Sequence, residues 1–334
     1  MKTNSKKVML LILSAVLMIA FCVNPAASAG TAQHIIKIGD TQPEGSPIVN
    51  HLRLFGEFIS KATDGRIIVE VYPAGMLGDG TASLQQVQLG TLTMYRADAS
   101  QMYDFGVESM KVPGLPYLFR TKEHCMKVMY GDIGQQMLQD ITDADVGFVG
   151  IGYLTDSARC LFARKRVDSL AAAKGLKTRS LSAQVYMEYK AALGFNPVPM
   201  PFSEVYTSLS TGVIDGAWNS IDAFVTNKMN EVCKYFIWTD TLFNAFPVVF
   251  STISWKQYSP EDQKLIKECW QKAADAYDKE VEVNRAKFVK EMEESGVEFV
   301  ELTDKEAWAA ACEPIIQKYS AGYEELVAKI RAMQ

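Results

Sequence analysis

Between Gln263 and Glu294 the chain carries neither glycine nor proline, and this stretch opens on Ser259-Pro260-Glu261-Asp262. A serine cap, a proline at the first helical position and acids in the first turn predict one helix from Ser259 to about Ser295. At 1.5 Å per residue it would span roughly 54 Å, enough to cross two lobes. The alternative is two helices with an unmarked kink, but no glycine or proline is there to make one. A chain of 334 residues, 48% of them hydrophobic and 22% charged, has material for about two cored domains at roughly 150 residues each.

The other end of the chain reads as an export signal. Lys2, Lys6 and Lys7 precede the apolar run Val8 to Val23, and Ala27-Ser28-Ala29 follows. The run is shorter than the roughly 20 residues a spanning helix needs, so residues 1–29 are expected to be a signal peptide cleaved near Gly30. Cys22 follows Phe21 rather than a small residue, which argues against a lipoprotein. A soluble exported protein is expected. Five cysteines follow the leader, Cys125, Cys160, Cys233, Cys269 and Cys312, with no zinc-like spacing. Most are expected to be buried thiols.

The segment after the leader alternates. His34 to Gly39 and Arg66 to Tyr72 read as strands on either side of a helix from Ser46 to Ala62, giving a β-α-β unit. A helix around Leu84 to Leu89, a strand over Leu92 to Ala97, a helix from Lys122 to Ile141 and a strand over Val146 to Tyr153 extend a parallel α/β sheet. The alternation restarts after Thr155. Arg159 to Arg164 and Gly175 to Arg179 read as strands, and helices are expected at Ala183 to Leu193, Ser203 to Thr211 and Ile221 to Cys233. The β-rich run Phe246 to Trp255 then returns to the first lobe. Beyond the long helix come a strand over Val297 to Leu302 and helices over Lys305 to Tyr319 and Gly322 to Met333.

Enzyme templates fail in turn. There is no GxSxG elbow, HExxH pair or GxxxxGK[ST] loop, and Gly147, Gly150 and Gly152 have the wrong spacing for a dinucleotide fingerprint. Three histidines are a thin supply for metal or acid-base chemistry, and a net charge of −5 offers no basic field for nucleic acid. No cofactor, metal or nucleic acid is expected. An exported two-lobed α/β chain of this kind suits capture of a small solute in a cleft.

Three ordered segments sharpen this: GLKTR (175–179), ALGFNPVPMPFSEVY (192–206) and TGVIDGAWN (211–219). With GDTQPEGSP (39–47), YPAGMLGD (72–79), VQLG (87–90) and LPYLF (115–119), they resemble the substrate-binding subunits of TRAP transporters, the tripartite ATP-independent periplasmic systems. The resemblance implies a two-lobed α/β solute-binding fold with an interlobe cleft and a long helix spanning both lobes. It also implies a receptor that captures a small organic carboxylate and delivers it to the membrane subunits of a TRAP transporter. The lobes expected are 30–156 plus 245–285, and 157–244 plus 286–334.

By the same resemblance, Arg179 matches the arginine that clasps the ligand carboxylate, a role suited to a planar guanidinium with paired donors. Without that context Arg179 would read as a surface residue in a basic turn with Lys174 and Lys177. Arg159 matches a second cleft arginine, Asn219 a ligand-contacting amide, and Phe202 an aromatic packed on the ligand or else a core residue. Asp98 and Thr41 fall where first-lobe polar contacts occur, although either could cap a helix or end a strand. Tyr95 and Arg96 lie near the expected cleft entrance. Two departures stand out: Trp218 occupies a position that is commonly acidic, and Ser182 one that is often Asn in sialic-acid relatives. Sugar acids are therefore disfavoured, and a cleft-facing Trp218 suits an aromatic or branched acid. Trp218 packing behind the site is the alternative. An exported hydrolase or lyase built on Asp98 with His124 or an arginine is the competing function, and an ABC-type receptor shares the cleft logic but not the motif order.

Overall fold

The structure, a computed structural model, describes residues 32–333, and the expected signal peptide lies outside them. Strand β1 (His34–Gly39), helix α1 (Pro47–Ala62) and strand β2 (Ile67–Tyr72) form the first β-α-β unit, with β1 and β2 parallel. The Ser46 hydroxyl accepts from the Val49 amide at 3.3 Å, and Pro47 sits in the first turn of α1. Ile48, Leu52, Phe55 and Ile59 recur at helical spacing and bury one face.

Helix α2 (Gly80–Gln88), capped by Asp79, leads to β3 (Met94–Arg96) and α3 (Ala99–Asp104). Leu89, expected on the buried face, lies just past the end of α2 and is exposed. Helices α4 (Lys122–Met129) and α5 (Asp132–Asp143) replace the single helix expected there, and β4 (Phe148–Thr155) follows. The break falls at Gly131, where a Cβ would lie 2.7 Å from the Lys127 carbonyl. Only glycine lets the chain turn back so closely over the end of α4.

The next elements are β5 (Arg159–Ala163), α6 (Leu170–Ala173), β6 (Lys177–Ser180), α7 (Gln184–Ala192), β7 (Asn196–Pro199), α8 (Val205–Thr211), β8 (Gly216–Asn219), α9 (Ile221–Thr226) and β9 (Tyr235–Leu242). The helix expected to reach Cys233 stops at Thr226, because Lys228 takes a left-handed conformation, φ 57°, and redirects the chain toward β9. β10 (Ala245–Ser251) and the short α10 (Thr252–Trp255) precede α11 (Pro260–Glu294); β11 (Glu298–Glu301), α12 (Lys305–Tyr319) and α13 (Glu324–Ala332) complete the chain.

Two sheets result, with strand orders β2-β1-β3-β10-β4 and β11-β9-β5-β8-β6-β7. The first is mixed rather than parallel, since β10 runs antiparallel to both β3 and β4. It enters from beyond the strands of the second sheet, so no short crossover fixes its direction. α11 is one continuous helix whose Ser259 cap accepts from the Asp262 amide at 3.1 Å. Its Ile266, Trp270, Ala273, Ala274 and Tyr277 pack into the core with α1 and the first sheet, while Phe288 and Met292 pack with Phe162, Phe224 and Phe236 against the second. A third apolar core, from Leu84 through Trp218 to Ile330, joins the two sheets. All five described cysteines are buried free thiols.

Candidate functional site

Strand direction places the candidate cavity. β1, β3, β4, β6, β7 and β8 all point their carboxyl ends at one region, and the antiparallel β5 and β10 present their starts there. The residues at those ends, Arg96, Asp156, Arg159, Arg179, Pro199, Asn219 and Phe246, line a cavity of about 250 Å³ between the two sheets. Of the residues singled out in the sequence, Thr41, Asp98, Arg159, Arg179, Ser182, Phe202 and Asn219 line it, as do Tyr95 and Arg96.

Arg179 lies on β6 and is 6% exposed. Its Nε donates to the Met200 carbonyl at 3.1 Å, and its guanidinium carbon stands 5.5 Å from the Phe202 ring centroid. Among the described ion pairs none includes Arg179. Burial first, then the neighbouring Arg159 charge, lowers its pKa to about 9, so it stays charged at neutral pH while lacking a counter-ion. Arg159 opens β5, with Nη2 3.6 Å from the Asp98 carboxylate. With the Asn244 amide oxygen turned toward it, Asn244 accepts from Arg159 Nε at 2.8 Å and Nη2 at 3.3 Å. Asn219 ends β8, and its side-chain oxygen accepts from the Ser220 amide at 3.0 Å. That bond leaves the amide NH₂ as the free end.

The first-sheet wall is richer in acceptors. Asp98 caps α3, accepting from the Ser100 amide at 3.0 Å and from the Tyr186 hydroxyl at 2.9 Å, so it is cap and lining residue at once. Arg96 is a buried wall residue rather than an entrance charge, held by Asp40 through Nε at 2.9 Å and Nη2 at 3.2 Å. Burial opposes its charge, but Asp40 outweighs that and raises its pKa above the ordinary value. The Phe246 ring lies against both Arg96 and Arg159, at 4.4 and 5.4 Å from their guanidinium carbons. Gln42, Asp79, Thr81, Gln101, Asp156 and Phe246 also line the cavity and were not anticipated. Asp156 left a readable trace, an acid one residue past the apolar run VGFVGIGYL. Burial raises its pKa, against the pull of Arg159 and Arg96.

Trp218 corrects one expectation. It sits on β8, where neighbouring side chains point to opposite faces, and Asn219 takes the cavity side. Trp218 is 2% exposed and packs edge-on against Phe195 at 4.9 Å, behind the site. The flat surface that favoured an aromatic or branched acid is therefore absent from the cavity. His124 corrects another. It is buried in α4, with Nε2 2.9 Å from the Ile330 carbonyl and Nδ1 accepting from the Arg120 amide at 3.2 Å. It does not line the cavity with Asp98, so that pair assembles no acid-base site.

Known proteins share this fold. The Vibrio cholerae "Sialic acid-binding periplasmic protein SiaP" is 27% identical over 316 residues, covering 94% of this chain and 98% of that protein. A TRAP periplasmic solute-binding protein from Pseudomonas putida F1, solved with bound D-glucuronate, superimposes with a TM-score of 0.87 at 29% identity, covering 90% of this chain and 97% of that one. Another from Sulfurospirillum deleyianum, solved with bound succinate, gives 0.84 at 27% identity over 91% and 100%. The model of the bacterial extracellular solute-binding proteins, family 7, matches residues 38–322, and the chain belongs to that DctP family.

Proposed function

We propose that this protein is a periplasmic receptor for a small hydroxylated carboxylate of the sugar-acid kind, which it delivers to the membrane subunits of a TRAP transporter. One observation carries the reading: Arg179 is a buried, charged guanidinium that faces the cavity with no carboxylate partner. A ligand carboxylate would supply the missing charge through paired hydrogen bonds, and Arg159 and the Asn219 amide would add donors. Phe202 would pack beside them. On the opposite wall Thr41, Gln42, Asp79, Asp98, Gln101 and Asp156 offer acceptors suited to ligand hydroxyls. Trp218 adds no apolar wall, and relatives hold D-glucuronate and succinate.

The proposed lobes are 30–156 plus 245–285 and 157–244 plus 286–334, with residues 1–29 removed on export. The strand ranges support this division, since the first sheet draws on 34–155 and 245–251 and the second on 159–242 and 298–301. Binding needs no covalent step. A thermal-shift screen across D-glucuronate, D-galacturonate, succinate, 2-oxo acids and benzoate tests the ligand class. Stabilisation by the hydroxylated acids above the others is expected, and stabilisation by benzoate alone would overturn it.

A further inference from the structure

Behind the cavity, α7 carries a lysine that the binding site does not use directly. Lys190 is 4% exposed, and its Nζ donates to the backbone carbonyl of Arg179 at 2.8 Å. Among the described ion pairs none includes Lys190. The same nitrogen stands 4.9 Å from the centroid of the Trp218 ring, whose own buried N–H has no acceptor among the described residues. Trp218 and Lys190 thus form a unit directly behind Arg179.

The charges around this unit are unbalanced. From β6 and β5 it faces Arg179 and Arg159, and from its own helix the phenols Tyr186 and Tyr189, with Cys312 of α12 facing Tyr189. The one acid acting on it is Asp98, which already serves Arg159, the Tyr186 hydroxyl and the Ser100 amide and hydroxyl. Glu188 of α7 is turned outward and spent on Lys318 of α12 at 2.7 Å. Two arginines and a lysine therefore share Asp98, with Asp79 also acting on Arg179 and Asp156 on Arg159. Burial, then Arg179, then Arg159 push the Lys190 ammonium well below its ordinary range.

Resting on the reading that Arg179 holds the ligand carboxylate, we infer that Lys190 is a positioning residue that takes up a proton from solvent when an anion enters the cavity. The arriving carboxylate offsets the arginine charges that disfavour the ammonium, and the Trp218 face stabilises the cation once formed. Protonation in turn strengthens the bond to the Arg179 carbonyl and steadies the backbone that aims its guanidinium. The sign follows from linkage. Lys190 has a higher pKa in the occupied receptor than in the empty one, so its contribution makes affinity fall as pH rises between those two values. The consequence is a receptor that carries its anion together with a proton and releases both at once.

Two measurements test this. Lysine-selective NMR should show Lys190 Nζ titrating at lower pH in the ligand-free protein than with D-glucuronate bound, and a titration unmoved by the ligand would overturn the inference. Calorimetry with D-glucuronate, D-galacturonate and succinate across neutral to alkaline pH, each in buffers of different ionisation enthalpy, should show proton uptake on binding. The uptake should vanish in Lys190→Met and in Lys190→Gln, the second keeping an N–H donor for the Arg179 carbonyl. It should persist in Asp222→Asn, which removes another buried titrating group. Uptake unchanged in both Lys190 variants, or absent from the native protein, would overturn the inference while leaving carboxylate binding intact. Failure of all three acids to bind would instead overturn the reading of the cavity.

Discussion

Asp222 illustrates how a single residue sets a cost elsewhere in the molecule. It lies in the first turn of α9, is 5% exposed, and neither carboxylate oxygen has a partner. Burial and then Asp156 raise its pKa to about 8, with Lys122 and Arg285 opposing. An acid raised on folding is protonated in the native state while the unfolded chain is already ionised. Stability therefore falls as pH rises from about 4 to about 8. Asp222→Asn should flatten that slope and add on the order of 1–3 kcal/mol at pH 8, read by urea unfolding at pH 5 and pH 8. An unchanged slope would place the charge elsewhere. At the cavity the anchoring side chains were legible, because Arg179, Phe202 and Asn219 sit inside long ordered motifs and Arg159 precedes the first of these, 20 residues before Arg179. Trp218 was not, because which of two strand neighbours faces a cavity depends on register, and β8 reads in the sequence only as a turn.

Helices with strong end signals were read almost to the residue. α11 has serine, proline and two acids at its start, and α1 has serine and proline. Ser259→Ala should cost about 1 kcal/mol in unfolding free energy, and no loss would remove the cap from the explanation. The strands β7, β8 and β9 were missed for a physical reason. Asn196-Pro197-Val198-Pro199 pairs on one side only, at the edge of the second sheet, where prolines need not donate. β9 lacks alternation because both of its faces are partly covered. Between α1 and α11, His51 packs edge-on against Trp270 at 4.6 Å and against Tyr277 at 5.6 Å. Burial lowers its pKa to about 4, only partly offset by the Ala273 backbone. The unfolded chain therefore binds the extra proton, and stability is lost as pH falls from about 6.5 toward 4. His51→Phe should remove that acid sensitivity from the thermal midpoint; a midpoint that still drops equally below pH 6 would contradict it.

Across the whole molecule, α11 is the member common to both sheets, since its first half belongs to one core and its last turns to another. The cavity lies where the strand ends of both sheets converge, so a ligand there touches both, and its binding energy bears on their separation. Asp98 meets Tyr186 and Arg159 across this boundary, and Gln42 accepts from the Asn227 amide at 2.9 Å. The acidic whole-chain charge says little about such a site, because the field a ligand meets is set by Arg159 and Arg179 behind low-dielectric walls. The most direct test is calorimetry of the native protein, Arg179→Lys and Arg179→Ala with D-glucuronate at neutral pH. A carboxylate clasped by the buried guanidinium predicts a loss on the order of 2–5 kcal/mol in Arg179→Ala and a large loss in Arg179→Lys, whose single ammonium cannot reproduce the fork. Native affinity in either variant would contradict the assignment of Arg179 as the anchor.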